Sequence, residues 1–230
     1  MSIACVIAVC MACVLPETPI YYYVVNQSKE RISMHWQDSV GNSINSLASL
    51  SEIIEQNRQI MVFAMNGGMY KPDTSPVGLY IENGKVLHPI NSDSGAGNFY
   101  MHPNGVFYLD KKEKAFICTT ADFILNDDVE FATQSGPILL LDSRINPIFN
   151  TTSVNKQVRN GVGIDSKGNV FMAISKEKIT FHDFASFFKD KGCTHALYLD
   201  GFVSRYFVQG NDNNQHNAEA FAVMIAVSKK

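Results

Sequence analysis

The sequence predicts an α+β fold: one mixed β-sheet domain built from a pseudo-duplicated hairpin–helix–strand unit, with two main helices and a cleft between the repeats. Three observations predict it. The apolar run 60–65 stops at Asn66-Gly67-Gly68 and the apolar run 197–199 stops at Asp200-Gly201, so two buried strands each end in a polar residue followed by glycine. An amphipathic helix pattern precedes each strand, with Leu50, Ile53 and Ile54 in the first and Phe184, Phe187 and Phe188 in the second. The register is constant: Leu50/Phe184, Ile53/Phe187, Ile54/Phe188, Asn66/Asp200 and Gly67/Gly201 are all 134 residues apart. On this pattern Asn66 and Asp200 occupy equivalent strand ends and are expected to face one another.

A chain of 230 residues that is 46% hydrophobic has ample material for one sizeable core. The net charge of −3, with acidic and basic residues interspersed and no basic block, argues against nucleic acid as a partner. Residues 1–19 differ from the rest. The run 3–15 is apolar and rich in small residues, and Pro16-Glu17-Thr18-Pro19 follows it. This reads as a signal-like or membrane-anchor segment, too short for a span of ~20 residues. It lacks a basic start, which suggests truncation, and lipidation at Cys13 stays open. Residues 20–230 are then a single exported domain: periplasmic, extracellular or envelope-anchored, with membrane attachment through the N-terminus only.

Five cysteines are present, and Cys118 and Cys193 are the two in the body of the chain. A disulfide between them stays open, because spacing cannot establish one. No Cys or His pair has zinc-ligand spacing. No cofactor is predicted and no metal ligands are assigned; a divalent cation is left open.

In chain order, 20–25 and 31–36 read as a hairpin. Ser46 is an N-cap for a helix over 46–57. Strands 77–81 and 85–88 flank Glu82-Asn83-Gly84, a tight hairpin signal. Runs 98–101 and 106–109 surround Pro103-Asn104-Gly105, and a charged turn over 110–114 precedes a strand over 115–119. The stretch 122–131 is ambiguous: Asn126-Asp127-Asp128 and Glu130 raise calcium, but the ligand spacing and glycine of an EF-hand are missing, and a solvated acidic turn is the plainer reading.

Gln134-Ser135-Gly136-Pro137 punctuates the entry to a strand over 138–141. A serine hydrolase would place Gly-x-Ser-x-Gly at a strand-to-helix turn, so Ser135 reads as a hydrogen-bonding ligand group or a turn residue. Arg159-Asn160-Gly161 opens a second hairpin over 162–165 and 169–175. There Arg159 offers a planar fork to phosphate or carboxylate, or a surface salt bridge. Thr180 and Asp183 form a capping-box-like start to the second helix, and Lys189, Lys191 and Gly192 suit its end. A polar loop over 210–217 and a last strand over 221–227 complete about ten strands.

Five motifs in this order carry a resemblance: Met65-Asn66-Gly67-Gly68-Met69-Tyr70, Ser75-Pro76-Val77-Gly78-Leu79-Tyr80, Gln134-Ser135-Gly136-Pro137, Arg159-Asn160-Gly161-Val162-Gly163 and Leu197-Tyr198-Leu199-Asp200-Gly201. From about residue 20 onward the chain resembles the phosphodiester glycosidase family, its short exported bacterial branch above all. The resemblance implies hydrolysis of a carbohydrate phosphodiester between the anomeric carbon and the phosphate oxygen, in envelope or extracellular glycans. One departure bears on sugar specificity: many members follow Asp-Gly with a second glycine and serines, where this chain has Phe202-Val203-Ser204.

Under that resemblance Asp200 stabilises an oxocarbenium-like centre or attacks it. Its plain alternative is a loop-capping aspartate. Asp73 is the candidate second carboxylate, ahead of Asp165, which sits in a turn-like Asp-Ser-Lys-Gly-Asn. Arg159 and the backbone of Gly67 and Gly68 are expected to hold phosphate, with Ser135 as a polar helper. Asn66 would hold sugar hydroxyls or orient Asp200, and Gly136, Asn160 and Gly201 complete the expected substrate-binding set. Two alternatives stand beside the enzyme: a non-catalytic sugar-phosphate or glycan-binding envelope protein, motivated by Phe202 and Val203, and a structural envelope protein without a small ligand.

Overall fold

Two ten-residue helices cover the outer faces of two sheets, and the third sheet closes the core between them. The computed structural model describes residues 19–201, 204–210 and 221–230. The N-terminal segment to Thr18, Phe202-Val203 and the polar stretch 211–217 lie outside the described residues.

The chain starts with β1 (Ile20–Val24) and β2 (Glu30–His35). Helix α1 (Leu47–Gln56) and β3 (Met61–Asn66) follow. Next come β4 (Tyr80–Glu82), β5 (Lys85–His88) and a 3-10 turn (Asn98–Tyr100). Strands β6 (Gly105–Asp110), β7 (Ala115–Thr119), β8 (Val129–Ser135), β9 (Ile138–Leu141) and β10 (Arg144–Ile145) lead on. Strands β11 (Asn160–Asp165) and β12 (Val170–Ser175) precede α2 (Phe181–Asp190). The chain ends with β13 (Cys193–Asp200), β14 (Tyr206–Val208) and β15 (Met224–Lys229).

The sheets run β1-β12-β11-β13-β9-β10, β14-β3-β15-β2 and β5-β4-β8-β6-β7. The class is α+β, yet every strand pairing among the described residues is antiparallel, so the expected mixed sheet does not form. The reason is an inserted strand. Each helix does link two strands of like direction, but β15 lies between β2 and β3, and β11 between β12 and β13.

The first expected hairpin does not form either. Strand β1 pairs with β12 (Tyr22 opposite Ala173), whereas β2 pairs with β15 (Met34 opposite Ile225). Alternating apolar residues make both segments strands but do not select their partners. The second hairpin, β11 with β12, forms as expected. Residues 98–100, within the run read as flanking the Pro103-Asn104-Gly105 turn, form the 3-10 turn, and β8 begins inside the stretch that read as an acidic turn. There Asn126 Oδ1 accepts the Asp128 N–H at 2.9 Å and closes the turn.

Local chemistry explains the helices. Ser46 Oγ accepts the Ser49 N–H at 3.1 Å. Thr180 Oγ1 accepts the Asp183 N–H at 3.0 Å while the Asp183 carboxylate accepts the Thr180 N–H at 3.4 Å, a complete capping box. The apolar face of α1 packs Leu47, Leu50 and Ile54 against Ala64, Met224 and Ala226. That of α2 packs Phe184 and Phe188 against Ala173 and Ala196. Close approach needs glycine beneath it: a Cβ on Gly163 would lie 2.5 Å from the Phe188 ring. One buried cluster joins all three sheets, with Met34, Phe63 and Ile225 from one, Phe107 and Ile117 from another, and Met172, Leu197 and Leu199 from the third. Cys118 and Cys193 are both free thiols, and burial pushes them up to about 11 and about 12.

Candidate active site

The strand ends β3 and β13 come from different sheets and meet at their last residues. Asn66 Nδ2 donates to the Asp200 carboxylate at 3.4 Å. Asn160, the first residue of β11, holds both. Its Nδ2 donates to the Asn66 carbonyl at 2.8 Å and to Asn66 Oδ1 at 3.0 Å, and its Oδ1 accepts the Asp200 N–H at 2.6 Å. A register shift between Asn160 and Gly161 brings Asn160 opposite Asp200. Asn66 Oδ1 also accepts the Arg205 N–H at 3.0 Å, and Ser204 Oγ donates to the Asp200 carbonyl at 3.0 Å. All three side chains are buried; Asp200, 8% exposed, is the most accessible.

Asp200 opens into a shallow cleft of about 450 Å³. Met69, Tyr70 and Lys71, from the loop after β3, form one side, and Gly97, Asn98, Phe99 and Tyr100 form another. This volume falls within the ~300–1,000 Å³ of small-molecule sites. Among the described lining residues, Asp200 is the carboxylate and Lys71 the cation. No group of three or more His, Cys, Asp or Glu among the described residues is placed to hold a metal.

The motif around Ser135 lies behind the cleft and braces the segments that line it. Gln134 Oε1 accepts from the N–H groups of Leu79 and Asn91, both at 2.9 Å, and Gln134 Nε2 donates to the Asn91 carbonyl at 2.7 Å. That amide anchors the start of the segment carrying Asn98. Ser135 Oγ donates to the Leu199 carbonyl at 2.7 Å, directly before Asp200, so its hydroxyl is a tie between β8 and β13. Gly136 lets the 3-10 turn approach: a Cβ there would stand 2.7 Å from the Phe99 carbonyl oxygen.

Gly67 and Gly68 let the backbone pass between neighbouring strands. A Cβ would meet Ile225 Cγ1 at 2.5 Å from Gly67 and Thr133 Oγ1 at 2.8 Å from Gly68. The Gly67 N–H is already bonded to the Val223 carbonyl at 2.8 Å, so it is not presented as a phosphate donor. Gly201 has no room for a Cβ, which would overlap the Tyr198 hydroxyl and lie 2.5 Å from the Val158 carbonyl oxygen.

Two expected residues lie elsewhere. Arg159 is fully buried. Its Nε donates to the Ile179 carbonyl at 2.9 Å, its Nη2 to the Asn155 carbonyl at 3.2 Å, and its plane sits 3.6 Å from the Phe181 ring centroid. An apolar strand start with Phe181 waiting below draws the side chain inward, so no guanidinium fork faces the cleft. Burial lowers its pKa, and Tyr198 opposes that.

Asp73 is exposed and does not line the cleft. Its Oδ1 accepts from Ser75 Oγ at 2.6 Å and Ser75 N at 3.0 Å, and these bonds hold its carboxyl below the usual range. It shapes the loop that presents Lys71. Asp165 is the hairpin-turn residue that its surroundings suggested, accepting the N–H groups of Lys167 and Asn169 at 2.8 and 2.9 Å.

Lys71, Asn98, Tyr70 and Tyr100 line the cleft without having been singled out. Lys71 lay inside the loop already suspected. For Asn98 the available signal was Gly95-Ala96-Gly97, a small-residue run that frees the backbone just before it.

A sequence model of the phosphodiester glycosidase family matches residues 59–228. The uncharacterized protein YigE of Escherichia coli is 37% identical over 216 residues, 94% of this chain and 84% of that one. Among solved structures, the fold is similar to the catalytic domain of zebrafish N-acetylglucosamine-1-phosphodiester alpha-N-acetylglucosaminidase, auto-inhibited by its pro-peptide. That match has a TM-score of 0.62 at 15% identity and covers 90% of this chain and 81% of that one. A putative exported protein from Burkholderia pseudomallei matches with a TM-score of 0.56 at 9% identity, covering 90% and 73%. These distant structures speak for the fold alone. The family match begins before Asn66, ends beyond Asp200 and takes in all five motifs gathered around the cleft and its supports; the chain belongs to the phosphodiester glycosidase family.

Proposed function

We propose that the protein is an exported hydrolase that cleaves the bond between the anomeric carbon and the phosphate oxygen of a sugar-1-phosphodiester in envelope or extracellular glycans. The observation that carries this reading is Asp200: a buried carboxylate at the floor of an open cleft, held by Asn66 and Asn160. The anomeric carbon lies against that carboxylate, which compensates the positive charge that develops as the bond breaks. The bonding electrons leave on the phosphate oxygen, water delivers hydroxide to the anomeric carbon, and the remaining proton goes to solvent.

Many glycosidases place two carboxylates around the scissile bond. A phosphate leaving group is stable as an anion and needs little protonation, so a cleft whose described lining offers one carboxylate and one cation suits this bond better than an ordinary glycosidic one. Lys71, which lines the cleft with Asp200, takes in this reading the phosphate-binding role first expected of Arg159. Asn98, Tyr70 and Tyr100 offer polar edges to sugar hydroxyls. Export rests on the signal-like residues 1–19.

A second reading, sugar-phosphate binding without turnover, draws on the one carboxylate among the described lining residues and on Phe202-Val203 in place of small residues. One experiment separates the two. Wild type and Asp200→Asn are incubated with a panel of sugar-1-phosphodiesters, with and without chelator, while free sugar and phosphomonoester are followed together. Equal amounts of both products from wild type, lost in the variant, support the hydrolase. A ligand that raises the melting temperature without yielding product supports the binding protein.

A further inference from the structure

Arg159 is a buried charge that the cleft chemistry leaves unexplained. Its guanidinium donates to two main-chain carbonyls, those of Ile179 and Asn155. Among the described residues Nη1 has no hydrogen-bond partner and no carboxylate is paired with the guanidinium. A buried cation lacking a counter-charge costs several kcal/mol unless its surroundings compensate. The Phe181 face, 3.6 Å away, supplies part of that compensation.

The position of Arg159 identifies the rest. It directly precedes Asn160, whose Oδ1 holds the Asp200 N–H. The Tyr198 ring centroid lies 5.7 Å from the guanidinium carbon. The Tyr198 hydroxyl, together with the Val158 carbonyl, fills the space beside Gly201 that a Cβ would need. Guanidinium, phenol and the Asp200-Gly201 turn are therefore packed in succession beneath the cleft. Tyr198 senses both charges. Burial and then Asp200 raise the pKa of its hydroxyl, while Arg159 pulls it back. The same hydroxyl accepts from Asn98 Nδ2 at 3.5 Å, so the buried row ends on a cleft residue.

We propose that Arg159 is a positioning residue that supplies, from beneath the cleft and through the Tyr198 hydroxyl, a buried positive charge on the side of Asp200 away from Lys71, and so helps to keep that carboxylate ionised. It rests on Asp200 being the reacting group, but its test does not require turnover. Among the described residues, the other titratable or charged groups around Asp200 are Tyr70 and Lys71 from the loop after β3, Tyr100 from the 3-10 turn and Arg205 from the segment after Gly201.

The experiment titrates the Asp200 carboxyl by carbon NMR in the full chain carrying labelled aspartate, assigned with Asp200→Asn. Arg159→Met removes the charge and keeps an apolar stem, and Asp200 is then expected to titrate about one unit higher. Arg159→Lys keeps the charge without the planar stack and should show a smaller rise. Tyr198→Phe removes only the bridging oxygen and should shift Asp200 in the same direction, which keeps the test open if Arg159→Met does not fold. Lys71→Gln and Arg205→Gln separate the other cations from the buried one. Asp200 titrating within about 0.2 units of wild type in every folded Arg159 and Tyr198 variant would overturn the proposal. Absence of hydrolysis by wild type would instead strike the glycosidase reading and leave the titration result standing.

Discussion

The side-chain amide of Asn66 donates to the carboxylate of Asp200 across 3.4 Å, joining the final residues of two strands that belong to different sheets. Each residue thereby fixes the other. Asn160 completes the arrangement by accepting from the Asp200 backbone and donating twice to Asn66, so the carboxylate is held by buried amides on rigid strands. Such a group is oriented before substrate arrives and has little rotamer freedom left to lose.

Asp200→Asn keeps the shape of the side chain and removes its charge. Hydrolysis of a sugar-1-phosphodiester is expected to fall by about 10²–10⁴-fold, the usual range for losing one acid–base or charge-stabilising group. The fold should survive, because the backbone bonds of Asp200 to Asn160 and Ser204 do not involve its carboxylate. Parallel rate and melting measurements check this; a large drop in melting temperature would point to the loop-capping role for Asp200.

Asn160→Ala removes three hydrogen bonds: the Asp200 N–H and the Asn66 carbonyl each lose the Asn160 amide, while Asn66 Oδ1 keeps the Arg205 N–H. An unsatisfied buried polar group costs about 1–3 kcal/mol. With some relaxation, a total loss of roughly 3 kcal/mol is expected in urea unfolding, together with loss of activity. A variant as stable as wild type would show that water or a rearranged Asn66 takes over the bonds.

These residues also show what could be read in advance. The juxtaposition of Asn66 and Asp200 followed from sequence, because two helices and two strand ends share one offset, and helix caps and apolar runs are local signals. The helix offset persists in the structure, from Leu47 to Phe181. Strand partnership is not local. Nothing in 20–25 and 31–36 says that the two strands part company, and nothing in β15 says that it inserts between β2 and β3. The site shows the same division. Glycines next to polar residues marked where the chain bends close to itself, but not which side chains turn inward. Arg159 beside Asn-Gly looked like a fork for phosphate, and only the stack on Phe181 reveals that it points into the interior.

Gly201→Ala tests packing at the site directly. The added Cβ would overlap the Tyr198 hydroxyl and press against the Val158 carbonyl, and the latter is backbone that cannot swing away. Overpacking of this kind costs about 1–3 kcal/mol. Because Gly201 adjoins Asp200, the shift should displace the carboxylate and lower kcat more than it raises KM. Chemical denaturation and steady-state kinetics on the same sample check both parts. Unchanged stability would mean that the turn after β13 has slack the packing does not reveal.

Stability should also fall on mild acidification, for a reason remote from the cleft. His35, on β2, is pulled down to about 4 by burial, with Ser33 Oγ at 2.8 Å from its Nε2. The unfolded chain binds that proton at its ordinary pKa near 6.5, so between about pH 6.5 and 4 the unfolded state holds more protons than the folded one. The stabilising effect is therefore fully present above pH 6.5 and is lost as the pH falls toward 4, on the order of 1–3 kcal/mol in all. Glu82 works against this trend. Burial raises its carboxyl, so the folded state takes up that proton first and gains stability as the pH drops. The difference in slope between wild type and His35→Gln isolates the His35 part from this opposing one. Melting temperatures measured from pH 7.5 to 4.5 are expected to decline in wild type and to decline less steeply in His35→Gln, which removes the titrating imidazole. Identical slopes in the two proteins would show that His35 is protonated in the folded state at its ordinary pH, with the half-buried end of β2 open to water.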